Sequence, residues 1–458
     1  MTAASSKKLN LLDLTMIVVS LVIGMGIFRT PINVAKDVET PALFFLAWLL
    51  GGVVALCGAL TYAEIGSRLP VTGGYYKVCS YAYHPSIAFA VNCLILVSNA
   101  ASAAAVALVG SEYITGVLIP NSTNAEWLSI AANAQRVQVM QIIISAAAIL
   151  LFYGINLLGL KMSARTQNVL TIIKICLILS LITPLFFATG SHTNVISGVI
   201  NDQGMMGYLR AFGSGLVAVS FTYGGYQQTI NFGAELEKPK IISRGIFYGI
   251  GIIILLYLVI NYAYVSVIGF EELKTSKNIA AIMASKILGE NAERVLSVLL
   301  FLSVLAYVNV QLMSNPRVMA AMTEDKILPL AFNRRNRKGA LTVSLSVFAA
   351  MCLLVVFWAK EFDTILSFSI FLDCFGMVLT AGSIFIIRKR TRHLDNTGIY
   401  KMILYPLMPV IFISSYTFVA ISLLINKTQL SLIGLAVLAA FIGIYFVVVE
   451  LQKKKKVI

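Results

Sequence analysis

Two short runs of glycine could do chemistry that no side chain within them does alone. Gly24-Met25-Gly26 and Tyr223-Gly224-Gly225-Tyr226 each lie inside a long apolar stretch. Glycine costs a helix interior up to about 1 kcal/mol relative to alanine, so each run is a weak point at which a helix can open. Glycine in a membrane helix also serves close packing, and either run alone fits that role as well. Their spacing favours a break. Gly24 and Gly224 stand 200 residues apart, each in the first helix of a run of five. Five is odd, so the second run must be inverted relative to the first. Paired interruptions at matching places in inverted repeats point to a site near the bilayer midplane.

An opened helix leaves free N–H groups at the start of its second half and free C=O groups at the end of its first. The N–H groups attract anions and the C=O groups attract cations. A solute carrying both an α-carboxylate and an α-ammonium satisfies the two sets at once, without a charged protein side chain. The expected ligand is a zwitterionic amino acid rather than a phosphate ester or a sugar.

Ionisable residues inside apolar stretches are the next candidates. Lys174 interrupts Thr171-Ile-Ile-Lys-Ile-Cys-Leu, about ten residues into its helix, where a charge costs several kcal/mol unless paired or neutralised. Two roles stand open for it. It is a fixed ammonium that takes the place of a coupling cation on the opened carbonyls of helix 1, or it carries a proton. Asp373 is structural if Ser369, Thr380 or a neighbouring helix satisfies it, and marks a preference for cationic amino acids or polyamines if it faces the site. Glu64 and Glu112, near span ends, are expected at the interfaces. Asn309, Ser314 and Asn315, beside Pro316, either line a polar path or satisfy the proline break.

Other chemistries find no motif. His84, His192 and His393 lie far apart, without HExxH or CxxC spacing. Neither a G-x-S-x-G elbow nor a GxxxxGK[ST] phosphate loop occurs. No metal, cofactor, catalytic residue or ATP-driven pumping is expected, and the chain is not expected to be an enzyme.

The elements that must position these residues follow from composition. With 59% apolar and 12% charged residues in 458, there is too little polar surface for a water-soluble globule. Apolar stretches of roughly 20 residues, enough to cross a bilayer, recur along the chain, and spanning backbone must be helical. Twelve spans are predicted: 11–37, 41–68, 85–119, 137–157, 163–189, 204–233, 243–269, 291–322, 340–358, 362–388, 401–422 and 429–450. They divide into an N-terminal tail (1–10), a first repeat (11–189), a second repeat (204–388), helices 11 and 12 (401–450) and a basic tail (451–458). The net charge of +15 comes from Lys and Arg at span ends rather than along one polar face, which argues against nucleic acid. These residues concentrate on the side of both termini, so both are expected in the cytoplasm and the chain in the cell (inner) membrane. Arg334, Arg335, Arg337 and Lys338, and the run from Arg388 to Arg392, are read as such flanking charge. Cys57, Cys79, Cys93, Cys176, Cys352 and Cys374 fall in spans or on the inner side, so no disulfide is expected.

The ordered motifs resemble those of the amino acid–polyamine–organocation transporters, and within them the L-type amino acid transporter branch. Gly24-Met25-Gly26-Ile27-Phe28 is similar to that family's first break. Tyr62-Ala63-Glu64-Ile65-Gly66 with Gly73-Gly74-Tyr75, Gly159-Leu160-Lys161 through Lys174, Phe221 through Glu235, and Pro316-Arg317 through Pro329 follow in the family's order. The resemblance implies a LeuT-like fold of twelve helices, a 5+5 inverted repeat with helices 1 and 6 broken. It implies carriage of neutral L-amino acids by alternating access, commonly as sodium-independent exchange; proton-coupled symport and cationic amino acid or polyamine exchange remain alternatives. Backbone from Ile23 through Gly24, Met25, Gly26 and Ile27 would hold the carboxylate, and carbonyls of Ile23, Phe221, Thr222 and Gly224 the ammonium, with Gly225 and Gln227 beside them. Phe221 would close as a thin gate, and Lys174 would fill the place where sodium-coupled relatives bind an ion. Met25 replaces the usual serine, and Tyr226-Gln227 the usual Trp-Asn, changing the side-chain pocket. The loop after span 3 lacks a cysteine, so no disulfide-linked heavy subunit is expected and the chain is expected to be a monomer in the lipid bilayer.

Overall fold

The computed structural model describes residues 8–24, 26–38, 40–71, 73–119, 131–183, 185, 213, 215–216, 218–220, 222–238, 240–276, 279, 282–283, 290–358, 362–395 and 399–457. Among them every element is helical: α1 (Leu11–Val22), α2 (Gly26–Val38), α3 (Pro41–Arg68), α4 (Gly74–Ala82), α5 (Pro85–Leu118), α6 (Ala131–Leu157), α7 (Leu160–Ile182), α8 (Lys240–Ile268), α9 (Phe270–Thr275), α10 (Glu290–Glu324), α11 (Thr342–Trp358), α12 (Phe362–Arg390), α13 (Leu407–Asn426) and α14 (Thr428–Val457). Ten stretches among the described residues are long and apolar enough to cross a membrane, and α11 is a shorter apolar helix. Residues 121–123, with a glycosylation sequon, and His192 lie outside the described residues, as do Met25 and Phe221.

Local chemistry sets several boundaries. Asn10 opens α1 with a reciprocal cap: its Oδ1 accepts from the Asp13 amide at 2.8 Å, and Asp13 Oδ2 accepts from the Asn10 amide at 3.2 Å. Thr40 and His84 precede Pro41 and Pro85, each proline at the first helical turn, where its missing N–H costs nothing. Several predicted boundaries move by a few residues, among them the start of the fourth span, from 137 to Ala131, and the bounds of the last two helices. The eleventh helix starts at Leu407, not at 401, because Tyr405-Pro406 lies within the expected start and proline favours a helix beginning after it. The last helix runs to Val457, so the basic tail continues a helix rather than forming a separate segment.

Burial sorts the helices into layers. The best apolar window of α5 is 83% buried, whereas that of α14 is 11% buried. α5 packs against α10, α12, α11, α6 and α14, and α14 turns Leu432, Ile433, Phe446 and Val447 outward, as expected for a helix whose solvent is lipid. α3 packs along α8, and α1 lies between α8 and α7.

Glu64, near the end of α3, is fully buried within the protein. Its carboxylate accepts from Arg68 Nε at 2.8 Å, from Arg388 Nε and Nη2 at 2.7 Å each, and from the Met402 amide at 2.9 Å. Arg68 also reaches Asp395 at 2.9 Å and Thr391 Oγ1 at 3.0 Å. Arg68 is a local partner four residues away, but the second cation, Arg388, comes from more than 300 residues further along the chain, which no local pattern reveals. This cluster ties the end of α3 to the end of α12 and to the entry of α13. Asp395 is held below its ordinary carboxylate value chiefly by the hydrogen bond from Arg68. Its contribution is therefore present near neutrality and lost as pH falls through the lowered value. Glu64→Gln leaves the buried Arg68 and the partly buried Arg388 without a full counter-charge, and a loss of about 3 kcal/mol is expected from thermal melts of the purified protein.

Candidate functional site

Both glycine runs are breaks. α1 ends at Val22; Ile23 departs from helical geometry with ψ 85°, and α2 starts at Gly26. On the other side, helical backbone ends at Tyr223, Gly225 takes φ +117°, and a 3-10 turn runs from Tyr226 to Asn231. The two breaks touch. A Cβ on Gly26 would stand 2.8 Å from the Thr222 side chain, and one on Gly225 would stand 2.2 Å from the Leu21 carbonyl oxygen. Gly225 is thus required twice, by its left-handed φ and by the approach of α1. Gly24 is different: an added Cβ meets nothing nearer than Tyr307 Cδ2 at 3.8 Å.

The opened carbonyls find donors. Lys174, fully buried on α7, donates from Nζ to the Ile23 carbonyl and lies 3.4 Å from both Ser20 O and Ser20 Oγ. Tyr257 on α8 places its hydroxyl 3.1 Å from Val22 O and 3.2 Å from Thr222 O, bridging the ends of the two preceding half-helices. Gln167 donates to Ser20 Oγ, and Asn309 donates to Gln167 Oε1 at 2.6 Å and accepts from Asn156 at 3.0 Å. These contacts pin α1 against α7, α10 and α6. Asn309 therefore serves a buried network rather than the Pro316 break.

A second polar chain curves beneath the breaks. Asn315 Nδ2 donates to the Gln311 carbonyl at 2.9 Å and to Gln311 Oε1 at 2.8 Å. Asn99 donates to Asn315 Oδ1 at 2.7 Å, Gln228 donates to Asn99 Oδ1 at 2.9 Å, and Gln311 donates to the Tyr307 hydroxyl at 2.6 Å. Ser314 joins the same layer by accepting from Asn231 at 3.1 Å.

Between these layers lies a small cavity with about 50 Å³ available to the centres of water molecules, lined by Gly24, Gly26, Thr222, Gly224, Gly225 and Gln227 among others. Ile23 and Ile27 are not in its wall; their side chains are fully buried. Gln227 turns its Oε1 back to the Gly225 amide at 2.8 Å. The far wall was not visible in the glycine pattern. It comes from Ser102 and Val106 on α5, Tyr307 on α10, Ile370, Asp373 and Met377 on α12, and Tyr416 on α13. Of this wall the sequence marked Asp373 alone; the polar pattern of span 8 pointed to Asn309 rather than Tyr307.

The end of the bundle nearest the N-terminal segment is closed. Leu9 pairs with Leu236 through Leu9 N to Glu235 O at 2.8 Å and Glu237 N to Leu9 O at 3.1 Å. Glu235 accepts from Arg317 Nε at 2.6 Å, and the Arg317 guanidinium lies 5.0 Å from the Phe232 ring centre. Beyond this closure a cavity of about 560 Å³ opens between Lys8, Lys161, Glu235 and Arg317.

The two glycines separate the requirements of folding from those of space. Gly225→Ala should cost roughly 2–5 kcal/mol, from a strained φ and an overlap with the Leu21 carbonyl. Gly24→Ala should leave stability unchanged or raise it by up to about 1 kcal/mol. Thermal melts of the two variants beside the unsubstituted protein check both outcomes.

A profile of the amino acid permease family matches residues 9–449. The serine/threonine exchanger SteT of Bacillus subtilis (strain 168) is 28% identical over 450 residues, covering 95% of this chain and 96% of that one. The large neutral amino acids transporter small subunit 2 of Rattus norvegicus is 27% identical over 99% of this chain and 83% of its own. The b(0,+)-type amino acid transporter 1 of Mus musculus is 27% identical over 63% of this chain and 57% of its own. A match over almost the whole length, together with many apolar helices, makes this a multi-pass membrane transporter and not an enzyme: the chain belongs to the amino acid permease family.

Proposed function

We propose that this protein exchanges neutral L-amino acids across the cell membrane by alternating access, without sodium, with both termini in the cytoplasm. The observation that carries the proposal is the Lys174 ammonium on the Ile23 carbonyl. It supplies a fixed positive charge at a carbonyl that would otherwise call for a mobile cation. The substrate carboxylate is held by the free amides at the start of α2, where Gly26 and Ile27 stand and Met25 precedes them. The ammonium is held by carbonyls at the second break, at Gly224 and beside Thr222. Phe221, outside the described residues, is proposed as the gate over the ligand.

The names of the similar proteins support exchange: one is called a serine/threonine exchanger and another a large neutral amino acids transporter. The helices are taken to form twelve spans, with 11–189 and 204–388 as inverted repeats that rock against each other. The Leu9–Leu236 pairing and the Glu235–Arg317 ion pair then form the inner gate, and the 560 Å³ cavity is the vestibule into which substrate is released. The protein acts as a monomer without a disulfide-linked heavy subunit.

Proteoliposomes loaded with unlabelled alanine should take up labelled alanine faster than empty ones, equally in sodium and in choline. Equal uptake by loaded and empty vesicles would exclude exchange. Accumulation driven by an imposed inward proton gradient would assign the protein to symport instead. Lys174→Met should lower exchange about tenfold to a hundredfold, the worth of one hydrogen bond from a charged donor. Alanine methyl ester and N-acetylalanine, each missing one charge, should not compete.

A further inference from the structure

The wall of the cavity opposite the glycine breaks carries a carboxylate with no cationic partner among the described residues and an amide oxygen with no donor. Asp373 on α12 is part of the lining. Thr380 Oγ1 meets Cys79 Sγ at 3.5 Å, and Ser369 Oγ has no partner. Ser98 stands within hydrogen-bond reach of the carboxylate and also reaches the Ser369 carbonyl at 3.0 Å, so a single shared hydroxyl serves both. Among the described residues no Lys, Arg or His forms an ion pair with Asp373.

Gln228 supplies a second, independent acceptor. Its Oε1 is buried without a partner, and the residue lines the same cavity. The orientation of this amide follows from the polar chain beneath the breaks. A backbone carbonyl can only accept, so the bond from Asn315 to Gln311 O fixes Asn315 Nδ2 as the donor. Asn315 Oδ1 must then accept from Asn99 Nδ2, and Asn99 Oδ1 must accept from Gln228 Nε2. The remaining oxygen of Gln228 is left without a donor, in a residue that lines the cavity. Ser102 and Ser220, also in the lining, carry hydroxyls that rotate to suit either a donor or an acceptor.

A carboxylate and an amide oxygen in an enclosed space are costly without donors. The backbone of the breaks already accounts for the α-carboxylate and α-ammonium, so the missing donors must come from the substrate's side chain. We infer that Asp373 and Gln228 form a side-chain subsite that selects amino acids with a short cationic side chain, such as 2,4-diaminobutyrate or ornithine, alongside small neutral ones. An ammonium supplies three donors and a positive charge; a serine hydroxyl supplies one donor, and alanine none. The small cavity sets the length limit, so arginine and long polyamines fit less well. This inference rests on the reading of the breaks as an amino acid site.

The test is exchange of labelled alanine, serine and 2,4-diaminobutyrate by proteoliposomes of the unsubstituted protein, Asp373→Asn and Gln228→Met. The unsubstituted protein should exchange diaminobutyrate. Asp373→Asn keeps the shape and removes the charge, and should lower the diaminobutyrate-to-alanine ratio about tenfold or more, as loss of a charge-assisted hydrogen bond requires. The serine-to-alanine ratio should fall less, and Gln228→Met should lower the diaminobutyrate ratio by a smaller factor. No diaminobutyrate exchange by the unsubstituted protein, an unchanged ratio in Asp373→Asn, or an equal loss of all three substrates would overturn the subsite. Equal loss would place Asp373 on the α-ammonium common to every substrate. Binding to purified protein separates this from the transport reading. If no substrate exchanges, tighter binding of diaminobutyrate by the unsubstituted protein than by Asp373→Asn upholds the subsite while the exchanger assignment falls. Equal binding overturns the subsite.

Discussion

A backbone carbonyl opened in the middle of a bilayer has no water to turn to, and the rest of this structure is arranged around meeting that demand. Breaking the first helix after Val22 frees carbonyls that must be paired or pay several kcal/mol each. The Lys174 ammonium takes the Ile23 carbonyl, and the Tyr257 hydroxyl stands between Val22 O and Thr222 O. Once these donors are fixed, much else follows. α7 must lie against α1, which the Ser20, Gln167 and Asn309 bonds secure. α8 must bring Tyr257 up to both breaks. The two breaks must also approach closely, which only Gly26 and Gly225 permit.

What is left unpaired after that arrangement is what a ligand can use. The start of α2 retains amides without intrahelical acceptors. The second break retains the Gly224 carbonyl. The opposite wall retains Gln228 Oε1 and, without a cationic partner among the described residues, Asp373. On the proposed reading, the backbone of the breaks meets the part common to all amino acids, and side chains from α5, α10, α12 and α13 meet the part that varies.

The breaks and Lys174 were legible in the sequence because their signals are local. Two glycines in an apolar run, or one lysine in the middle of a span, stand out without knowledge of what surrounds them. The far wall was not legible. Tyr307, Met377 and Tyr416 are ordinary residues for apolar helices, and only the fold turns them toward Gly24. Tyr257 was missed for the same reason. The ion-pair cluster around Glu64 was only partly legible, because two of its partners, Arg388 and the Met402 amide, are separated from it by most of the chain. Asp373 was legible as a buried acid, but not as part of the cavity wall, since that depends on how α12 packs. The start of the eleventh helix shifted because apolar composition alone could not weigh Pro406.

The central claim is that the backbone of the two breaks holds both charges of an amino acid while Lys174 holds the opened carbonyl of the first. An experimental structure of the protein with alanine bound, in sodium-free buffer, tests it most directly. The account predicts the carboxylate within hydrogen-bond distance of the amides at Gly26 and Ile27, the ammonium against the Gly224 carbonyl, and Lys174 Nζ still on Ile23 O. An alanine bound away from the breaks, or bound with its carboxylate on Lys174 in place of the Ile23 carbonyl, would contradict it.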